Sequence, residues 1–552
     1  MVNFGRDHCR AMEVDKPMDE DEAYSSVEEN SLLKEDILLP TTIEMTKTRN
    51  LDDFLKFGRY TVLVLFLAEF VCLSTLSTMI YMVYAGHSPS VLGCGETTFD
   101  PSLNNTERCK LYESMKNTSC TLQLSYQFKS VNVEFDLLCS DSMLVKSSTT
   151  IQMSAVFLGA LAFGQSSDLF GRRFALMIAL SCSAVFTGIS SFSVDIFTFN
   201  IWRGLTGFFA GGITAVQGVY LVENIPVKHR MLVNTIVTWS PNFIIYPIIA
   251  YVAGEWRRLA AISAVVNLLG VAVLIFCYES PRFLIQKGRI AEARRVLKDI
   301  RRFNKDSCEN RSQEIEEMLI AEKEAFTEAH KKNHTFLTIF KNAELLRWTF
   351  VLCFGIMTTS LINYGILFNM DTIIGSLYLN NIFFGIIRWG LNIIVGLSDY
   401  KIKAAGRKLL NTGSETLNLC CLLFIFCIYY FELYNDYSNA IRVVAIMVTA
   451  MCGQVYIAKY ITATELYPTS VRNLGCSAQA MFSRIGTILS TQLFFLGDLH
   501  ISYPYLALSL FLFADIILFQ TMIPETKGRK LENHLQKRVK VAKPSTVSLP
   551  RP

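Results

Sequence analysis

Ionisable side chains stand inside long apolar runs of this chain, among them Glu69, Arg388, Lys459 and Arg484. A charge held in hydrocarbon costs at least ~3 kcal/mol, so such residues line a solute pathway, relay protons or neutralise one another. Three cations around one low-dielectric cavity favour a ligand that carries negative charge. Glu69, isolated at mid-run, balances one of the arginines, takes a proton or holds an ammonium group. One acidic corner and several basic ones would together suit a zwitterion. The competing reading is structural, with Arg388 on a helix carbonyl or on Glu415 and Lys459 snorkelling to an interface. Asp515 reads as packing polarity shielded from lipid.

These side chains need helices to position them. A membrane span takes about twenty mostly apolar residues, which places spans near 61–84, 147–166, 174–192, 197–222, 231–254 and 259–277. A second set follows near 348–368, 376–397, 410–430, 440–463, 474–495 and 502–523. Backbone polar groups cannot face lipid unpaired, so the spans are helical and the fold is an all-α membrane fold of twelve spans. The expected domains are an acidic, disordered tail over 1–59, a six-helix bundle over 60–277 with a long loop at 85–142, a charged amphipathic segment over 278–347, a second bundle over 348–523, and a tail over 524–552. Charged residues make up 18% of the chain, against roughly a quarter in soluble proteins, which supports the membrane class. The tail before the first span has no apolar stretch of a cleavable signal peptide.

The two halves repeat each other. Glu223 with Pro226 and Arg230 has the spacing of Glu465 with Pro468 and Arg472. Gly164, Asp168, Gly171, Arg172 and Arg173 are answered by Gly396, Asp399, Gly406, Arg407 and Lys408, and Glu279-Ser280-Pro281-Arg282 by Pro524-Glu525-Thr526 and Arg529. Duplicated helical bundles are a mark of secondary transporters, which bind solute between the repeats and rock one against the other.

Lys and Arg in short loops set the orientation. Arg172, Arg173, Lys228, Arg230, Lys401, Lys403, Arg407, Lys408 and Arg472 fall on one side, so that side, both termini and segment 278–347 are expected to be cytoplasmic. Arg257 and Arg258 are the exception, on the other side. Loop 85–142 then lies outside. It holds Cys94, Cys109, Cys120 and Cys139, enough for two disulfides in any of three pairings. Its sequons at Asn104 and Asn117 are expected to be glycosylated, whereas those at Asn310 and Asn333 face the cytoplasm and stay bare. The inner segment pairs opposite charges at helical spacing.

Other classes find little support. The net charge of +4 is too small for a nucleic-acid partner. The chain has no Gly-Lys dipeptide, hence no Walker loop and no direct use of ATP, and no zinc spacing or hydrolase motif, so no metal, cofactor or enzymatic activity is expected.

The run Glu134 to Cys139, the Gly164–Arg173 and Glu223–Arg230 motifs, Trp256-Arg257, Glu279 to Leu284, Glu465 to Arg472 and Pro524 to Arg529 resemble the organic cation, organic anion and carnitine transporter family of the major facilitator superfamily. That resemblance implies a two-bundle fold with a central cavity and uptake or exchange of small organic ions at the plasma membrane. It implies that Arg484 stands where ligand charge preference switches, with Arg accompanying anions or carnitine and Asp accompanying cations. It places Arg388 where relatives often carry an acidic residue, and Tyr364, Tyr251 and Tyr456 among substrate-contacting aromatics, with Asn363 in place of a second Tyr. Gating would fall to Asp168, Arg172, Arg173, Glu223, Arg230, Asp399, Arg407, Glu465 and Arg472. The chain departs from the family in having Leu169 after Asp168, where Arg is usual, four extra residues between Asp399 and Gly406, and four outer-loop cysteines instead of six. Transport of organic anions or zwitterions is thus expected. A cation transporter, or a receptor or scaffold that has lost transport, is the alternative.

Overall fold

The computed structural model describes residues 58–94, 97–100, 105–115, 122–225, 239–305, 342–368, 375–401, 406–434, 436–467, 469–493, 496–497 and 499–526, with Ile315 and Leu319. Residues 1–57 and 527–552 of the two tails, both predicted glycosylation sites and Arg230 lie outside these residues, as do the side chains of Asp399 and Arg472. Twelve long helices follow in order: α1 Arg59–Ala85, α2 Ser142–Phe170, α3 Arg172–Ser190, α4 Ile196–Asn224, α5 Trp239–Ala253, α6 Trp256–Ile275, α7 Ala343–Phe368, α8 Leu377–Lys401, α9 Arg407–Tyr430, α10 Ser438–Leu466, α11 Thr469–Leu493 and α12 Tyr503–Met522. Eight of them, α1, α3, α4, α6, α7, α9, α10 and α12, are long and apolar enough to cross a membrane by length and composition. The other four pack among them.

Helices α1–α6 form one bundle and α7–α12 another. The closest helix pairs are built on missing side chains. A Cβ on Gly159 of α2 would lie 1.7 Å from the Phe208 carbonyl oxygen of α4, and one on Gly486 of α11 would lie 2.2 Å from the Met357 carbonyl oxygen of α7. Small residues allow this backbone approach, which in lipid supplies the packing that a hydrophobic drive cannot.

Between α1 and α2 sits a small crown. Its three-stranded antiparallel sheet, in the order β2 (Thr97–Thr98), β1 (Ser90–Cys94), β3 (Leu122–Ser125), is joined by a short helix, Asn105–Met115. Cys109 is bonded to Cys139, and Cys94 is also disulfide-bonded. One of the pairings left open by the sequence is thereby chosen.

Arg257, the exception to the charge rule, is neutralised in place. Its Nε donates to Glu134 Oε1 at 2.7 Å, and its terminal nitrogens donate to the Ser191 and Ser193 carbonyls just past the end of α3. Trp256 Nε1 donates to the other Glu134 oxygen at 2.9 Å. Burial raises the Glu134 carboxyl, but the bonds from Arg257 and Trp256 outweigh it and leave this acid below the ordinary carboxylate range.

At the opposite, basic end the duplication becomes geometry. Glu279 accepts the backbone N–H groups of Arg172 and Arg173 at the start of α3, and Glu525 accepts those of Arg407 and Lys408 at the start of α9. A carboxylate there meets the positive end of a helix dipole and orphaned backbone donors. Between the bundles, Ser280 caps a short helix, Pro281–Gln286, through the Phe283 N–H, and an amphipathic helix, Ile290–Asn304, follows. Its Asn304 accepts the Tyr60 N–H at 2.9 Å and so covers the start of α1.

One apolar core joins the crown-end halves of both bundles, including Tyr84, Phe243, Leu361 and Phe384. Toward the basic end it divides into separate cores, one around Leu176, Ile213 and Leu274 and the other around Val351, Ala463 and Phe519.

Candidate functional site

Where α5 meets α8, Phe243 and Phe384 pack edge to face with centroids 4.7 Å apart. Arg388, one turn beyond Phe384, lays its guanidinium 5.4 Å from the Phe243 ring and 5.7 Å from the Phe384 ring. It reaches α10 at Gly453, where a Cβ would come within 2.6 Å of Arg388 Nε. The missing side chain is what admits the arginine. Arg388 Nε is buried without a hydrogen bond, and among the described residues no carboxylate pairs with this cation. Neither the helix carbonyl nor the Glu415 pairing weighed from sequence is formed.

Tyr456 lies three residues beyond Gly453 on α10, hence on the same face. Its hydroxyl donates to Ser360 Oγ of α7 at 2.6 Å, and Ser360 is 2.8 Å from Ser483 Oγ of α11. Arg484 follows directly. It is half-buried and makes no ion pair among the described residues. Tyr364 and Asn363 are buried one turn further along α7, and Asn363 Oδ1 has no hydrogen-bond donor. The structure therefore brings Arg388, Tyr456 and Tyr364 together around α7, α8 and α10, while Arg484 lies on the adjoining α11 and Asn363 on α7.

Glu69 of α1 stands in the other bundle and is half-buried. It accepts from Asn242 Nδ2 at 3.2 Å and from no cation among the described residues. Asn242 precedes Phe243, so one turn of α5 carries both the amide that meets the acid and the ring that meets Arg388. The expected balance of Glu69 by an arginine does not occur there.

Two expectations are corrected. Lys459 is no cavity cation: it is fully buried, 2.8 Å from Glu415 Oε1 and 2.5 Å from Asp515 Oδ2, with its ammonium also donating to the Gly355 carbonyl and Thr359 Oγ1. Burial removed the route to an interface, and two acids on neighbouring helices hold the charge instead. Asp515, read as mere packing polarity, is half of that arrangement. Tyr251 is 70% exposed and, among the described rings, meets Tyr378 of α8 edge to face.

Sequence reading also passed over Arg203 of α4, although the rule that singled out Arg388 applies to it. Arg203 is fully buried, donates to Gln152 Oε1 at 2.8 Å and to the Thr78 carbonyl at 3.2 Å, and lies 4.2 Å from the Tyr81 ring. Its neutral acceptors make it a tie between α1, α2 and α4.

The residues expected to gate, where they are described, make their contacts within their own bundles. Arg172 pairs with Asp168 and lies 3.7 Å from Glu223. Arg173 donates to the Ile275 carbonyl, and Arg407 meets Glu465 at 3.3 Å. At the crown end the contacts cross between bundles. Gln127 donates to the Gly375 carbonyl and accepts from the Leu377 N–H, and Tyr378 stacks on Tyr84 at 5.9 Å.

The family model described as "Sugar (and other) transporter" matches residues 99–536. Among curated proteins, an uncharacterized protein of Caenorhabditis elegans is 24% identical over 86% of this chain and 94% of its own length. Solute carrier family 22 member 7 of Bos taurus is 27% identical over 76% of this chain and 74% of its own, and the organic cation transporter protein of Drosophila melanogaster is 25% identical over 79% and 77%. Among solved structures, the inward-open xylose transporter XylE of E. coli superposes with a TM-score of 0.60 at 15% identity, covering 86% of this chain and 98% of XylE.

Proposed function

We propose, given that the chain belongs to the sugar (and other) transporter family, that its solutes are small organic anions or zwitterions of the carnitine type. Movement of a small solute across a lipid bilayer by alternating access between two helix bundles, rather than enzymatic catalysis, follows from that membership and from the major-facilitator-type fold. The solute class is our reading, and one observation carries it: Arg388 stands against two aromatic rings with no carboxylate partner among the described residues. A desolvated, uncompensated cation is costly unless a ligand completes it. Phe243, Phe384, Tyr364 and Tyr456 supply faces that hold an apolar body without strict shape demands. Glu69, with only Asn242 as partner, leaves room for an ammonium at the far side of the same turn of α5.

The working arrangement we infer is twelve crossings in two six-helix repeats, at the plasma membrane, with both termini cytoplasmic and the crown outside. Contacts at the crown and divided cores at the basic end fit a state closed outward and parting toward the cytoplasm. Asp168, Arg172, Glu223, Arg407 and Glu465 would then re-form contacts across the bundles when the cycle reverses.

A second reading, transport of organic cations, draws on Glu69 and on the name of the Drosophila relative. Uptake of a labelled dicarboxylate, a labelled aryl carboxylate, labelled carnitine and labelled tetraethylammonium by expressing cells, against vector controls, separates the two. We expect anion or carnitine uptake that Arg484→Asp abolishes. Faster entry of tetraethylammonium, stopped by Glu69→Gln, reverses the conclusion, and no uptake of any probe favours a receptor or scaffold.

A further inference from the structure

The ion cluster on Lys459 is unbalanced. One ammonium faces two carboxylates, Glu415 from α9 and Asp515 from α12, and all three side chains are fully buried. With both acids ionised, the cluster holds a net negative charge in the interior of the second bundle, where water cannot compensate it. Hydrogen bonding is incomplete as well. Asn411, one turn before Glu415 on α9 and fully buried, lies within hydrogen-bonding reach of Glu415, but Asp515 Oδ1 receives no donor. A carboxylate can only accept, whereas a protonated carboxyl both donates and accepts. One added proton thus cancels the excess charge and supplies the donor that the cluster lacks.

We propose that Glu415 and Asp515, held on Lys459, form an exchangeable proton-binding site in the second bundle. The groups facing it from each packed helix are few: from α7 the Gly355 carbonyl and Thr359, from α9 Asn411 and Glu415, from α10 Lys459 with the Cys452 thiol two turns earlier, and from α12 Asp515. Arg388 lies on the other side of Cys452, near enough to act on its thiol. The site adjoins the proposed solute site. Thr359, which accepts from Lys459 at 3.1 Å, is next to Ser360, which accepts from Tyr456 at 2.6 Å, and Tyr456 is one turn from Lys459 on α10. Gain or loss of the proton changes how tightly Lys459 is drawn toward α9 and α12, and so changes the α7–α10 contact that lines the cavity. Two acids sharing one proton are a recurrent arrangement where like charges stand too close for both to ionise. This proposal rests on the chain being a transporter and not on the charge of its solute.

The test uses the purified full-length protein reconstituted in lipid, with infrared difference spectra recorded between mildly acidic and mildly alkaline pH. We expect the carbonyl stretch of a protonated carboxylic acid to vanish on the alkaline side in the unaltered protein. Glu415→Gln and Asp515→Asn, which keep shape while removing an acid, should each abolish or displace that signal. In the same liposomes an inward proton gradient should raise initial uptake of labelled carnitine or labelled benzoate severalfold, and Glu415→Gln should remove that response. A protein with no pH-dependent carboxyl signal, or one whose signal survives both substitutions unchanged, overturns the proposal. If neither probe enters, the anion reading fails while the infrared signal still decides the proton site.

Discussion

Two cations in the second bundle should answer removal of their charge in opposite ways, because one is partnered and the other is not. Arg388 touches two aromatic rings and no acid among the described residues, whereas Lys459 touches two acids. A solute carboxylate placed about 4 Å from Arg388 gains roughly 4 kcal/mol at an effective dielectric near 20. Arg388→Gln forfeits that attraction, which at 1.4 kcal/mol per factor of ten approaches a thousandfold in affinity. The empty protein loses only the ring contacts, about 0.5–2 kcal/mol, and is relieved of an uncompensated charge, so its thermal stability should stay close to that of the unaltered protein. Lys459→Gln leaves Glu415 and Asp515 facing each other without a cation, a change worth about 3–5 kcal/mol of destabilisation. Initial uptake of labelled carnitine and labelled benzoate over a concentration series measures the first effect as a rise in KM. Thermal unfolding of the detergent-purified protein measures the second. An Arg388→Gln protein with unchanged KM, or one destabilised as much as Lys459→Gln, would refute the assignment of Arg388 to the ligand.

Three further outcomes follow from the crown end. Cys109→Ser opens a bond between residues 30 apart in sequence, which chain entropy values at about 3–4 kcal/mol; heat-induced loss of the crown's protease resistance should move to lower temperature, and an unmoved transition would contradict a stabilising role. The Glu134 carboxyl is held below its ordinary range when folded, so its clamp on Arg257 and Trp256 contributes stability above the ordinary carboxylate pKa and loses it as pH falls through the depressed value; melting temperature followed into acid should fall less steeply for Glu134→Gln than for the unaltered protein. Replacing both Asn104 and Asn117 with Gln should abolish any mobility shift on glycosidase treatment, and a shift that survives would place the sequons at Asn310 or Asn333 outside and invert the orientation.

Much of this molecule is written in local pattern. Length and apolarity of a run mark a membrane helix because each span must satisfy its own backbone, a demand met within some twenty residues. The duplication was equally legible, since Glu279 and Glu525 recur at matching points and each caps the helix that follows a matching loop. That Glu69, Arg388, Lys459 and Arg484 matter was readable from the cost of charge in an apolar run. What each one does was not. Lys459 meets Glu415 and Asp515 only because α9, α10 and α12 converge, and Arg388 escapes an acid only because Gly453 lets it lie against α10 between two rings. Tyr251 meets Tyr378 only because α5 approaches α8, which no spacing within α5 reveals. Desolvation is a property of one residue in its own run, so sequence carries it. Compensation joins side chains distant in the chain at 3–6 Å, and only the packing of helices against one another decides it.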